Sequence, residues 1–153
     1  MVTQYQRRCE RNALIDWSAR DGYTHAITLN TDRELSLSRL KDICGTFCHL
    51  FDKRVHGIRN MGRFPIELRL RAILFPENLL TNAHLHGFAD FAAALDVLRS
   101  ELQLEEVVRG AWLTATRGAG SIYMEPEPDS GWARYATKKY DRTFFLAADF
   151  HPQ

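Results

Sequence analysis

The sequence lacks the features that mark secreted, membrane-spanning or strongly basic proteins. Its three cysteines are odd in number and lack the spacing of a disulfide framework, which favours a reducing compartment such as the cytoplasm. No apolar run is long enough to span a bilayer, and the polar N-terminal residues have no apolar signal-peptide core. The formal net charge of +1 does not by itself indicate a nucleic-acid partner. We therefore expect no membrane association, and local motifs must identify the partner.

Nucleotide-binding motifs are also missing. The Gly-containing segment 117–121 is not followed by the Lys and Ser/Thr of a phosphate-binding loop, so it is interpreted as a turn and a helicase motor is excluded from this chain. Low Pro and Gly counts argue against widespread disorder, and a length of 153 residues fits one core. We expect an N-terminal arm or helix over 1–22, one domain over 23–153, and a monomer.

The periodicity of apolar residues predicts alternating strands and helices. The predicted elements are a strand at His25–Asn30, a helix from Ser36 or Ser38 to Phe51, strands at Phe64–Phe75 and Ala83–Phe88, a helix at Phe91–Leu104, strands at Val107–Thr116 and Ser121–Met124, and a helix at Gly131–Asp141 capped by Asp129 or Ser130. This order predicts an α+β fold, with an antiparallel β-sheet and flanking helices.

Two histidines on one predicted strand form a candidate metal site. His84 and His86 flank Leu85, and residues two apart on a strand project from the same face, roughly 6.5 to 7 Å apart. Both imidazoles can then converge on one cation. The alternative is two unrelated histidines, because a His-x-His triplet alone is a weak signal.

An acidic residue across the predicted hairpin strengthens the metal hypothesis. Glu77 precedes His84 by seven residues, and antiparallel pairing across the turn brings its carboxylate beside the histidines. Glu67 is the alternate ligand, although a solvated strand position explains it better. Two imidazoles and one carboxylate leave coordination positions open, which suits octahedral Mg²⁺ or Mn²⁺ with water and a phosphate oxygen.

The segment from Glu77 to His84-Leu85-His86-Gly87-Phe88 resembles the histidine motif of HUH endonucleases, especially Rep initiators of rolling-circle plasmids and small single-stranded DNA viruses. The resemblance implies that both histidines and the acidic residue hold a catalytic divalent metal. It also implies a fold related to the ferredoxin and RRM folds. His25–Asn30 occupies the place of the family's first motif, and the resemblance extends over residues 24–142 by the order of motifs.

The family's nucleophile is a tyrosine followed after two residues by lysine, a pattern that Tyr135 and Lys138 match. Lys138 and Lys139 lie three and four positions after Tyr135, so either ammonium can share its helix face. Some relatives use two tyrosines four residues apart. Here Tyr140 is five residues away and rotated by roughly 140° on a helix, so we interpret it as a packing residue.

Basic residues near these motifs are candidates for phosphate contacts. A basic run consists of Lys53, Arg54, Arg59, Arg63, Arg69 and Arg71. Arg69 and Arg71 share the exposed face of the predicted strand, whereas Arg134 and Lys139 flank Tyr135, and these four are the predicted DNA-binding residues. Cys44 and Cys48 are four apart on a helix, and we interpret them as core residues rather than zinc ligands.

The resemblance implies site-specific nicking and joining of single-stranded or hairpin DNA, with Tyr135 as nucleophile and Lys138 assisting. Three alternatives remain open at this stage: a transposase or relaxase of the same group, a DNA-binding module without activity, and a metal-dependent hydrolase of small phosphoesters.

Overall fold

One antiparallel sheet organises the chain. The computed structural model describes residues 1–57 and 63–151. Within them the sheet has five strands, in the order β4-β1-β3-β2-β5, and every paired neighbour is antiparallel. The strands are β1 (His25–Asn30), β2 (Arg71–Glu77), β3 (His84–Asp90), β4 (Ser121–Pro126) and β5 (Phe145–Leu146).

Helices cover both faces of the sheet. They are α1 (Gln4–Arg20), α2 (Leu37–His56), α3 (Ala92–Leu98), α4 (Glu101–Ala115) and α5 (Ser130–Ala136), with 3-10 turns at Ile66–Leu68 and Ala147–Phe150. The main core packs α2, α3 and α4 on the face that carries Ile27 and Leu85, and a smaller core packs α1 and α5 on the face that carries Phe75 and Phe88. The predicted α+β class with an antiparallel sheet is confirmed.

Local sequence explains how the longest helix begins, ends and packs. Ser36 accepts a hydrogen bond from the amide of Arg39 at the start of α2, and Gly57 ends the helix in the left-handed region with φ of 65°. One face of α2 enters the main core with a three- and four-residue period. That face includes Leu40, Ile43, Cys44, Phe47, Cys48 and Phe51. Both helix cysteines are buried free thiols of this core.

The strand predicted at Phe64–Phe75 is wrong at its start. The structure has a 3-10 turn at Ile66–Leu68, and β2 begins only at Arg71 and continues to Glu77. Pro65 precedes the turn, and proline has no N–H to donate to a strand ladder. Glu67 is therefore exposed in the turn, away from the strand position that made it an alternate ligand.

The elements predicted between Phe91 and Thr116 need a larger correction. Arg99 adopts a left-handed φ of 66° and ends α3, and Ser100 then caps α4, so two helices replace the predicted single one. The predicted strand at Val107–Thr116 is the second half of α4. Its buried residues recur at helical spacing, as Leu104, Val108, Ala111 and Trp112.

Two further differences lie near the C-terminus. Asp129 caps α5, accepting a hydrogen bond from the amide of Trp132, but the helix ends at Ala136 rather than at Asp141. Thr137 is the C-cap residue of α5, so Lys138 and Lys139 lie in the turn beyond the helix. The short edge strand β5 pairs with β2 and was not predicted. Across the described residues, no helix combines the length and apolar character needed to cross a bilayer.

Gly87 permits the close approach of β2 and β3. A Cβ atom at this position would lie 1.9 Å from the backbone oxygen of Ile73, which belongs to the neighbouring strand and cannot move aside. The Gly87 oxygen also accepts a 2.7 Å hydrogen bond from the indole N–H of Trp132. The absence of a side chain at position 87 therefore permits the strand spacing, and the backbone oxygen of the same residue anchors Trp132 of α5.

We predict that Gly87→Ala lowers the free energy of unfolding by about 3 kcal/mol, because the added methyl group must force the strands apart. Urea denaturation followed by circular dichroism measures the change. Gly110→Ala is the matched control: its Cβ would meet only the flexible Arg54 side chain, at 3.2 Å, and alanine favours a helix. Equal stability of the two variants would contradict the close-approach argument.

Asp52 is a buried carboxyl group on α2 that accepts a 2.8 Å hydrogen bond from the amide of Leu70. Burial raises the pKa of Asp52 to about 6, against opposing contributions from the Leu70 hydrogen bond and the charge of Arg69. The folded chain therefore binds this proton more tightly than the unfolded chain. The contribution of Asp52 to stability consequently falls as pH rises from about 4 to about 6 and is constant above that range.

We compare the free energy of unfolding of Asp52→Asn with that of the parent. We predict that the difference in favour of the variant is on the order of 2 kcal/mol larger at pH 7.5 than at pH 4. Asparagine keeps an oxygen for the Leu70 amide but cannot ionise. Chemical denaturation of both proteins at the two pH values measures this difference. A difference in stability that is the same at both pH values would refute the buried-ionisation argument.

Candidate metal and tyrosine site

The register of β2 and β3 brings three potential metal ligands together. Glu77 pairs with His84 across the two strands, and Phe75 pairs with His86. Because side chains alternate along a strand, Glu77, His84 and His86 all project from the face covered by α1 and α5. We call these three residues the metal triad, and all three are buried.

The distances within the metal triad fit a single cation. Glu77 Oε1 lies 3.8 Å from His84 Nε2, and Glu77 Oε2 lies 3.6 Å from His86 Nε2. The ligand atoms of the three residues lie within 4.8 Å of one another, which makes this a group that can hold a metal ion. Transition metals and Mg²⁺ bind their ligand atoms at about 2 Å, and small side-chain adjustments bring the three ligand atoms to that distance from one ion.

Hydrogen bonds to the outer nitrogen of each imidazole orient both histidines. His84 Nδ1 donates to the backbone oxygen of Asn82 at 2.8 Å, so a neutral His84 presents the lone pair of Nε2 to the metal triad. His86 Nδ1 lies 2.8 Å from the hydroxyl oxygen of Thr28 on β1. Such outer contacts fix the ring orientation of metal-binding histidines.

Electrostatics keeps His86 in its ligand form. Burial, followed by the neighbouring His84, lowers the pKa of His86 to about 4, although Glu77 opposes the shift. His86 is therefore neutral at neutral pH, and a neutral imidazole is the form that binds metals.

Lys138 neutralises the buried carboxylate of the metal triad. Its ammonium lies 2.8 Å from Glu77 Oε1 and 2.9 Å from Oε2, so it contacts both oxygens. The same ammonium lies 3.8 Å from the ring centroid of Tyr135, a cation–π distance. Lys138 thus connects the metal triad to the predicted nucleophile.

Tyr135 lies beside the metal triad. Its ring centroid is 5.0 Å from that of His86, and 48% of the residue is exposed to solvent. The ring borders an open cleft of about 550 Å³ that is lined by Thr28, Asn30, His84, His86, Tyr123, Trp132 and Tyr135. The arrangement therefore brings a phenol and two imidazoles to one open cleft, and the buried Glu77 carboxylate contacts both imidazoles.

Other predicted site residues lie in different environments. Arg134 and Lys139 are exposed near Tyr135. Arg69 is buried, and Arg71 contacts Asp21 and Asp90 at the opposite end of β2 from Glu77, roughly 20 Å along the strand. Their predicted contact with DNA stays a prediction, remote from the metal triad, and Arg59 lies outside the described residues.

Tyr140 does not join this site. Its ring packs 6.3 Å from that of Phe75, and its hydroxyl contacts Glu10 of α1 at 3.2 Å. These contacts agree with the interpretation of Tyr140 as a packing residue that docks the segment after α5.

Sequence reasoning missed four residues of the cleft, which are Thr28, Asn30, Tyr123 and Trp132. Trp132 lies three residues before Tyr135 on α5, a spacing that could have placed both rings on one helix face. The strand register brings Thr28 and Tyr123 to the cleft, because Tyr123 pairs with Thr28 and Thr28 pairs with His86. No local signal in the sequence reveals that register.

The geometry defines a candidate metal centre with a neighbouring tyrosine and lysine. Comparisons with models of protein families, with curated proteins and with solved structures found no match. The function is therefore inferred from the residues and geometry of the site itself.

We predict that Mn²⁺ binding stabilises the parent protein, by about 2.7 kcal/mol when the free ion is at about a hundred times its Kd. His84→Ala removes one ligand and should abolish the effect. His49→Ala, an exposed histidine on α2, is the control and should retain it. Thermal unfolding with and without Mn²⁺ measures the shift, and an undiminished shift in His84→Ala would rule out the metal triad.

Proposed function

We propose that this chain is a metal-dependent, site-specific endonuclease of the HUH type that nicks and rejoins single-stranded DNA, with a Rep-like role at the start of rolling-circle replication. The proposal extends to the fold, which we assign to the HUH group within the observed α+β class. The observation that carries it is the 5.0 Å separation of the Tyr135 and His86 rings, which puts a phenol beside a group that can hold a metal.

The donor set favours a metal suited to phosphate chemistry. One carboxylate and two imidazoles leave coordination positions for water and a phosphate oxygen, which fits Mg²⁺ or Mn²⁺. When bound by Glu77, His84 and His86, the ion supplies Lewis-acid polarisation of the scissile phosphate. The position of the site in an open cleft suits a flexible single strand or a hairpin end.

Tyr135 is the nucleophile in this proposal. Its hydroxyl oxygen forms a bond to phosphorus as it loses its proton, and the bond from phosphorus to the 3′ oxygen breaks. The products are a 5′-phosphotyrosine and a 3′-hydroxyl, whose oxygen takes up a proton. The covalent bond conserves the energy of the phosphodiester, so the reverse reaction joins strands.

Lys138 assists by its charge. Its ammonium lies 3.8 Å from the ring centroid of Tyr135 and can attract the negative charge that develops on the phenol oxygen or the phosphate. In this proposal Arg134 and Lys139, which are both exposed, contact neighbouring phosphates of the strand.

We predict that incubation with a pool of labelled single-stranded oligonucleotides and Mn²⁺ yields a covalent adduct, which remains on the protein in a denaturing gel. Tyr135→Phe should abolish the adduct, because it removes the attacking oxygen and keeps the ring. Tyr140→Phe is the matched control and should form the adduct at the parental level.

An adduct that persists in Tyr135→Phe would refute the assigned nucleophile. Absence of adduct across diverse sequences, with retained DNA binding, would indicate a binding module of the same fold. Turnover of a generic phosphodiester that Tyr135→Phe leaves unchanged would indicate a small-phosphoester hydrolase.

A further inference from the structure

Two aromatic residues of the cleft have no role in the proposed chemistry. Tyr123 on β4 is 49% exposed, and its ring lies 6.4 Å from the indole of Trp132. Trp132 in turn lies 5.4 Å from Tyr135 and 5.8 Å from His86. The three aromatic side chains thus form a continuous wall beside the metal triad.

The wall is held in a fixed orientation. The indole N–H of Trp132 donates to Gly87 of β3 at 2.7 Å, while its backbone N–H donates to Asp129 at 2.8 Å. The Tyr123 hydroxyl donates to the carboxylate of Glu125, two residues further along the same strand face. Rigid, partly exposed aromatic faces of this kind are the usual stacking platforms for unpaired bases.

The strand register gives the distance from the wall to the metal triad. Tyr123, Thr28 and His86 form one row across three adjacent strands. Neighbouring strands lie about 4.8 Å apart, so Tyr123 is roughly 10 Å from His86. A base on the nucleotide that flanks a phosphate at the metal triad is within this reach.

The distribution of charge gives the bound strand a direction. The ammonium of Lys138 lies at Glu77, and Lys139 borders a neighbouring pocket that Glu77 also lines. Glu125 and Glu127, by contrast, line the pocket that continues past Tyr123 and Trp132. On the first side the two lysines offset Glu77 and Asp141. On the second side Glu125, Glu127 and Asp129 have no cation beside them in the pocket lining and repel phosphates, so the base rather than the backbone faces Tyr123.

We propose that Tyr123 and Trp132 form a stacking subsite for the base next to the scissile phosphate, and that Glu125 selects a base bearing an amino group there. The subsite rests on the proposed function for the position of the phosphate. A carboxylate accepts hydrogen bonds but donates none, so it pairs well with the exocyclic amino group of cytosine, which thymine lacks.

The test measures binding of labelled oligo-dC and oligo-dT, each about twelve nucleotides long, by fluorescence anisotropy in Mn²⁺. A Tyr135→Phe background prevents covalent capture. Tyr123→Ala should weaken binding of both oligonucleotides by about 5- to 150-fold, the range for the loss of one stacked base. Tyr123→Phe should retain binding, and Tyr5→Ala, an exposed tyrosine of α1, controls for unspecific effects.

Specificity is tested in the same assay. We expect oligo-dC to bind more tightly than oligo-dT, and Glu125→Gln to remove this preference, because an amide can donate to thymine as readily as it accepts from cytosine. Equal affinity of the parent background for both oligonucleotides would overturn the role of Glu125.

The outcomes separate this inference from the proposed function. If Tyr123→Ala binds both oligonucleotides like its background while the parent forms the adduct, the subsite is refuted and the nuclease stands. If binding depends on Tyr123 but no adduct forms, the nuclease is refuted, and Tyr123 and Trp132 stand as a stacking site for single-stranded DNA without an adjacent scissile phosphate. Absence of binding to any single strand overturns both.

Discussion

The antiparallel register of β2 and β3 is the constraint on which the rest of the site depends. It places Glu77 opposite His84, and the alternation of side chains then brings His86 to the same face. A shift by one residue would turn both imidazoles into the main core and remove Glu77 from their reach. Gly87 secures this register, because the backbone of Ile73 approaches it too closely to admit a side chain.

The parts of the site that lie close in sequence could be predicted from it. Glu77 and His84 belong to one hairpin, in which the strand period and the turn determine which side chains meet. Tyr135 and Lys138 are only three residues apart, so they remain neighbours even though α5 ends between them. Thr28 and Tyr123 could not be predicted, since their neighbours are set by pairing between distant strands.

The fold shows the same division between local and distant information. The strand at His25–Asn30 and the long helix α2 follow from clear periodicity and caps. The second half of α4 was mistaken for a strand because Val107, Val108 and the aromatic Trp112 favour strands by composition, although their burial follows a helical period. Burial against a sheet outweighed intrinsic preference there.

The contact between Lys138 and Glu77 has a thermodynamic consequence. One carboxylate serves both the ammonium that anchors the segment after α5 and the set of atoms that can hold a cation. Any ligand of Glu77 must change the energy with which Lys138 holds that segment, and by linkage a displacement of the segment must change the ligand's affinity by the same factor. Binding of a cation by the metal triad and the position of the Tyr135 ring are thereby coupled, so that each changes the equilibrium of the other.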